Sequence, residues 1–112
     1  MSSEQALLGR IAALAGFGRY RVRHHAVRHM IEEGFDESNI IVALTGRGRK
    51  ILEEYPEQQR CLGLGSYAIG RKARLHLHAV CDLSDEEVLD IVTAYMPQSP
   101  WWATSSRRGQ GR

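Results

Sequence analysis

Along residues 74–81 the side chains alternate: Leu75, Leu77, Ala79 and Cys81 fall on one face, His76, His78 and Val80 on the other. A period of two belongs to a β-strand, here with one face set against an apolar core. That strand constrains the rest of the chain, because its backbone N–H and C=O groups need neighbouring strands to take them up. Residues 50–56 read as a strand ending at Pro56, and residues 60–65 as its hairpin partner. Residues 65–72 are expected to form the next turn.

The N-terminal half has the period of helices. Leu7, Ile11 and Leu14 recur on one helical stripe, with Ser2 or Ser3 able to cap it and Gly16 and Gly18 to end it. Tyr20 to Arg23 alternates ring or aliphatic with charge, as a short strand or an extended lead-in. The helix that starts near His25 has an apolar stripe of Ala26, Val27, Met30 and Ile31, leaving His25, Arg28, His29 and Glu32 on its other side. Gly34 stops it. Asp36 then caps a further helix whose Ile40, Ile41 and Leu44 face inward, with Gly46 as the left-handed residue that closes it.

Residues 85–95 satisfy two patterns. Ser84 to Glu87 makes a capping box, and Val88, Ile91, Val92 and Tyr95 recur at helical spacing. The same residues are strong strand formers, and Leu89, Ile91, Thr93 and Tyr95 would share one strand face, paired antiparallel with residues 74–81. Pattern alone leaves both open. Pro97 and Pro100 end the element, and Trp101-Trp102 is expected to cover an edge of the core.

A chain of 112 residues with 43% hydrophobic content suits one packed core. We divide it into an N-terminal helical extension over residues 1–18, one α+β domain over residues 19–103, and a basic, flexible tail over residues 104–112. Its apolar stretches are broken well short of the roughly 20 residues that span a bilayer, and no export signal opens the chain, so a cytoplasmic location without a membrane partner is expected. In that compartment Cys61 and Cys81 are expected as reduced core thiols.

Net charge is only +2, but thirteen of the fifteen basic residues are arginine. They gather at residues 19–28, 47–50, 71–74 and 107–112, while acidic residues gather at 32–37, 53–57 and 82–90. Folding could therefore separate a basic face from an acidic one. Arginine holds phosphate or carboxylate through a planar fork, which favours recognition of such groups. Arg21, Arg23, Arg47, Arg49 and Lys50 are the candidate nucleic-acid contacts.

Set in order, His25-Ala26-x-x-x-Met30, Gly46, Glu54-Tyr55-Pro56, Cys61-Leu62-Gly63, His78-Ala79-Val80 and Val92-Thr93-Ala94-Tyr95-x-Pro97, followed by Trp101, resemble a small bacterial family of a domain of unknown function. That family sits among relatives of BrnT and of the RelE/ParE toxins. The match covers about residues 20–102, each motif weak alone and the ordered set more specific. The resemblance implies an α+β fold in which N-terminal helices pack on a four-stranded antiparallel sheet, RelE/ParE-like, and this makes residues 88–95 a strand. It implies ribonucleases that work without metal, or gyrase poisons, neutralised by an antitoxin encoded alongside. Where many members carry arginine before the methionine and before the glycine, this chain has His29 and Glu33.

A metal-independent ribonuclease needs a base for the ribose 2′-hydroxyl, an acid for the leaving oxygen and a cation for the phosphate. His25, Arg28, His78 and Tyr95 are the candidate catalytic residues, with His25 and His78 expected to look into one basic hollow. Each has a plainer reading: His25 as a helix-capping residue, His78 as a half-buried structural one, Tyr95 as a core ring. His76-x-His78 with Asp82 could hold a metal ion, but no second ligand pair stands at diagnostic spacing, so neither metal nor cofactor is expected. The leading expectation is an RNA-binding, toxin-like domain, possessing endoribonuclease activity and partnered by RNA and a cognate antitoxin. The competing one is a non-catalytic binding module of the same fold, dimeric.

Overall fold

The longest pairing in the molecule joins β3 (Arg60–Ile69) to β4 (Ala73–Asp82), antiparallel and in register from Arg60 opposite Asp82 to Ile69 opposite Ala73. In this computed structural model residues 3–98, 104, 106 and 107 are described; Trp101-Trp102 and most of the expected tail lie outside them. The turn expected at residues 65–72 begins later, because β3 runs straight through Gly65 to Ile69 and reverses at Gly70, whose φ of 69° suits glycine. β2 (Lys50–Tyr55) pairs antiparallel with β3, and a 3-10 turn over Pro56–Gln58 links them.

The contested segment is strand β5 (Leu89–Tyr95), antiparallel to β4. A bulge between Val80 and Cys81 in that pairing shifts the register, so Leu89, Ile91 and Ala94 enter the core in place of the expected even alternation. The sheet is not the expected four-stranded antiparallel one. It has five strands in the order β1-β5-β4-β3-β2, and β1 (Tyr20–Val22) lies parallel to β5. The alternation at residues 20–23 left a short strand and an extended lead-in open, and the structure has the strand.

Helices α1 (Ser3–Gly16) and α3 (Glu37–Thr45) cover one sheet face. Asp36 caps α3 as expected, accepting from the Asn39 backbone N–H while the Asn39 side chain accepts from its own. Gly46, expected left-handed, is extended at φ −85°. The end of α3 is closed by Arg49, whose guanidinium donates to the carbonyls of Gly46 at 2.6 Å, Leu8 at 2.9 Å and Leu44 at 3.3 Å. α3 lies so close to β3 that a Cβ on Gly65 would sit 2.1 Å from the Ala43 carbonyl oxygen. Cys61 and Cys81, opposite each other on this face, are free and buried. Their mutual hydrogen bond, with burial, pushes the Cys81 thiol well above its ordinary range.

Helix α2 (His24–Glu33) follows β1 and runs beside β5, ending at Gly34 in the left-handed conformation. Its buried contact is Ala26, with Met30 against the core. Val27 and Ile31, expected in the apolar stripe, are exposed, Ile31 by 78%. The stripe is rotated because α2 flanks the edge of β5 and presents a narrow face to it.

On the sheet face turned from α1 and α3, Arg60 and Asp82 pair at 2.8 Å. Burial pushes the Asp82 carboxyl up, but the Ser84 hydroxyl and backbone N–H and the Arg60 guanidinium outweigh it and bring the value from 3.8 to about 2.

Two stability measurements test this framework. Gly65→Ala should lower unfolding free energy by about 3 kcal/mol in urea with an unchanged m-value, whereas Gly63→Ala, whose Cβ would stand 3.8 Å from the Ala79 oxygen, should stay within about 1 kcal/mol. Equal effects would show that α3 does not press on Gly65. Because Asp82 is depressed in the folded state, its stabilisation is present above pH ~4 and lost as pH falls towards ~2. Arg60→Gln should cost roughly 0.5–1 kcal/mol at pH 7, a difference that shrinks by pH 2 as the Asp82 carboxylate is protonated. A constant difference at both values would refute the pairing.

Candidate functional site

The sheet face turned from α1 and α3 carries the side chains that alternation turns away from the core: Leu62, Leu64 and Ser66 on β3, and Arg74, His76, His78, Val80 and Asp82 on β4. Register places them in rows. One row runs Lys50, Leu64, His78, Tyr95 across β2, β3, β4 and β5, and the next sets Ser66 opposite His76. Leu62, Leu64 and His78 are buried on this side, His78 completely.

At one end of the face Arg47, Lys50, Ser66, Arg74 and His76 line a hollow of about 570 Å³. The described residues lining it include no carboxylate. Arg74 is held by Ser66, donating to its hydroxyl at 3.0 Å and its carbonyl at 3.3 Å. Arg47, Lys50 and Arg74 thus set three permanent cations around one open hollow with no carboxylate among its described lining residues.

The other end differs. His24, His25, Arg23, Arg60, Asp82 and Asp90 line a hollow of about 480 Å³ in which cations meet carboxylates. Asp90 takes Arg21 at 3.1 Å and Arg23 at 3.6 Å. His25 is exposed, its ring 4.6 Å from that of His24. Arg28 points outward with a side chain 71% exposed, 3.9 Å from Glu32.

The sequence-derived candidates therefore divide. His78 and Tyr95 come together, Nδ1 to hydroxyl 3.4 Å and ring centres 5.3 Å apart. His25 lines the mixed-charge hollow, and Arg28 lies on the outer face of α2. Of the candidate nucleic-acid contacts, Arg47 and Lys50 line the basic hollow, Arg21 and Arg23 are matched by Asp90, and Arg49 closes α3.

The row that ends in Tyr95 continues into α2 through residues not chosen from the sequence. The His29 ring lies 6.0 Å from the Tyr95 ring. Its Nδ1 is 2.5 Å from the Glu33 carboxylate, whose other oxygen accepts from the Met96 backbone N–H at 2.7 Å. The signal for this pair was its spacing of four on a helix, which sets the two side chains one above the other. Among the described residues no group of three or more His, Cys, Asp or Glu side chains is placed to hold a metal ion, and no helix is long and apolar enough to cross a membrane.

No curated protein and no solved structure matches the chain. A family model does, over residues 22–96, from the last residue of β1 to the residue after β5. The match takes in the basic hollow, the His78–Tyr95 contact and the His29–Glu33 pair, and so the chain belongs to DUF4258, a family defined as a domain of unknown function.

Proposed function

We propose that this protein binds RNA on the face of its sheet turned from α1 and α3 and cleaves it without a metal ion, as the toxin of a cytoplasmic toxin–antitoxin pair related to the BrnT and RelE/ParE toxins. The observation that carries the binding part is the hollow lined by Arg47, Lys50, Arg74 and His76, with no carboxylate among its described lining residues. Phosphate contacts supply most of the affinity for a polyanion, and cations already neutralised by Asp90 contribute little to it. The candidate chemistry stands on the adjacent row, where Tyr95 meets imidazole groups on both sides. An acidic antitoxin segment would compete for the same cations.

A second reading, a non-catalytic binding module, is favoured by the complete burial of His78, which denies a substrate direct contact with that ring. On this reading His78 and Tyr95 hold the strands together and the basic hollow alone is functional.

Anisotropy with a single-stranded RNA in chelator tests the binding. The double variant Lys50→Glu/Arg74→Glu should weaken affinity at least tenfold and reduce the salt slope by about 0.7 for each phosphate no longer neutralised. Arg28→Ala should change little. Affinity insensitive to the double variant would overturn the proposed face. Intact RNA after prolonged incubation with saturating wild-type protein would select the binding module.

A further inference from the structure

Helix α2 ends on a pair of side chains that do two things at once. Glu33 accepts from the Met96 N–H at 2.7 Å with one carboxylate oxygen, so the group is fixed to the end of β5. Its other oxygen lies 2.5 Å from Nδ1 of His29. A carboxylate can only accept, so Nδ1 carries the proton and the lone pair of the neutral ring is placed on Nε2. The Glu33 side chain is 17% exposed and that of His29 38%, which sets an anchored carboxylate behind an imidazole that solvent reaches. The ring stands beside Tyr95, at the end of the row that begins with Lys50 of the basic hollow.

We propose that His29 is the proton-accepting catalytic residue of this protein and Glu33 its positioning residue, an inference that rests on the RNA-cleaving reading above. The fully buried His78 has no open path to a substrate, and His25 lies in the hollow where Asp82 and Asp90 balance the cations. His29 combines access, a fixed tautomer and a place beside Tyr95, at the opposite end of the row from Lys50. In the reaction Nε2 of His29 takes the proton of a ribose 2′-hydroxyl. The 2′-oxygen attacks the adjacent phosphorus, the bond from phosphorus to the 5′-oxygen breaks, and that oxygen leaves with a proton from water. The products are a 2′,3′-cyclic phosphate and a 5′-hydroxyl, and the imidazolium returns its proton to the hydroxide so formed.

The full-length protein is assayed in chelator on a labelled RNA that it binds. His29→Asn keeps a nitrogen donor for Glu33 but has no Nε2, and should lower kcat by about 10²–10⁴-fold with KM and folding unchanged. His29→Ala should show the same loss, and added imidazole should restore part of its activity, an effect that a structural role would not produce. Glu33→Gln keeps an oxygen for the Met96 N–H and turns its amide N–H towards Nδ1, which reverses the tautomer. It should lower kcat on the order of 10- to 100-fold at unchanged KM and unchanged thermal midpoint. Wild-type cleavage rates in His29→Asn, with RNA affinity still weakened at least tenfold by Lys50→Glu/Arg74→Glu, would overturn the assignment and leave the RNA reading standing. Binding without cleavage by the wild type would overturn it as well, and failure to bind RNA would remove the reading on which it rests.

Discussion

The outer edge of β5 has to find partners for its backbone groups, and the manner in which it does so shapes the molecule. Over its first half the partner is β1: the Leu89 N–H donates to the Arg19 carbonyl and the Arg23 N–H to that of Ile91. Past Val22 the chain turns into α2, which cannot offer a ladder of hydrogen bonds. It offers one carboxylate, Glu33, to the Met96 N–H, and closes the remaining gap with Ala26 and Met30. The histidine one turn before Glu33 is thereby fixed against Tyr95. A structural need at a strand edge and a polar arrangement beside it have the same origin.

The two faces of the sheet serve different ends. Towards α1 and α3 the alternating residues are small or apolar, and Gly65 lets the backbone of α3 come within contact distance of β3. On the opposite face, charge is sorted along the strands. At the end near Asp82 and Asp90, arginines have carboxylate partners, and at Asp82 the contacts from Ser84 and Arg60 hold the carboxyl at about 2. At the other end Arg47, Lys50 and Arg74 share a hollow, where their mutual repulsion disfavours the folded state unless an anion relieves it. The position of the carboxylates thus divides a single face into a half where charges are paired and a half whose described lining is only basic or neutral.

Much of this was legible in the sequence where one force dominates locally. Alternation in β4, the Asp36 cap and the Gly34 stop each depend on a few adjacent residues, and each is found as read. β1 is three residues long; its alternation left a strand and an extended lead-in open, and its parallel pairing with β5, almost 70 positions away, is not a local property. The bulge opposite Val80 is likewise a property of two strands together. Gly65 reads as a turn residue in sequence because the reason for a glycine there, the closeness of Ala43, is tertiary. The polar side of α2 was legible as polar; that one of its residues, His29, stands against Tyr95 follows only from where β5 lies.

Counting basic residues in the sequence overstates the number available to a partner, and the overstatement follows chemistry. Arginine's five donors in a rigid fork suit backbone carbonyls as well as phosphate. Arg49 is consumed at the end of α3, and Arg10 donates to the carbonyls of Leu83 at 2.9 Å and Asp85 at 3.1 Å, tying α1 to the loop before β5. Arg21, Arg23 and Arg60 are shared with carboxylates. A net charge of +2 is therefore no measure of the field a ligand meets. What a polyanion would encounter is local: cations left over after the fold has used the others, gathered on one end of one sheet face and bordered by the row of Lys50, His78 and Tyr95 that leads to His29.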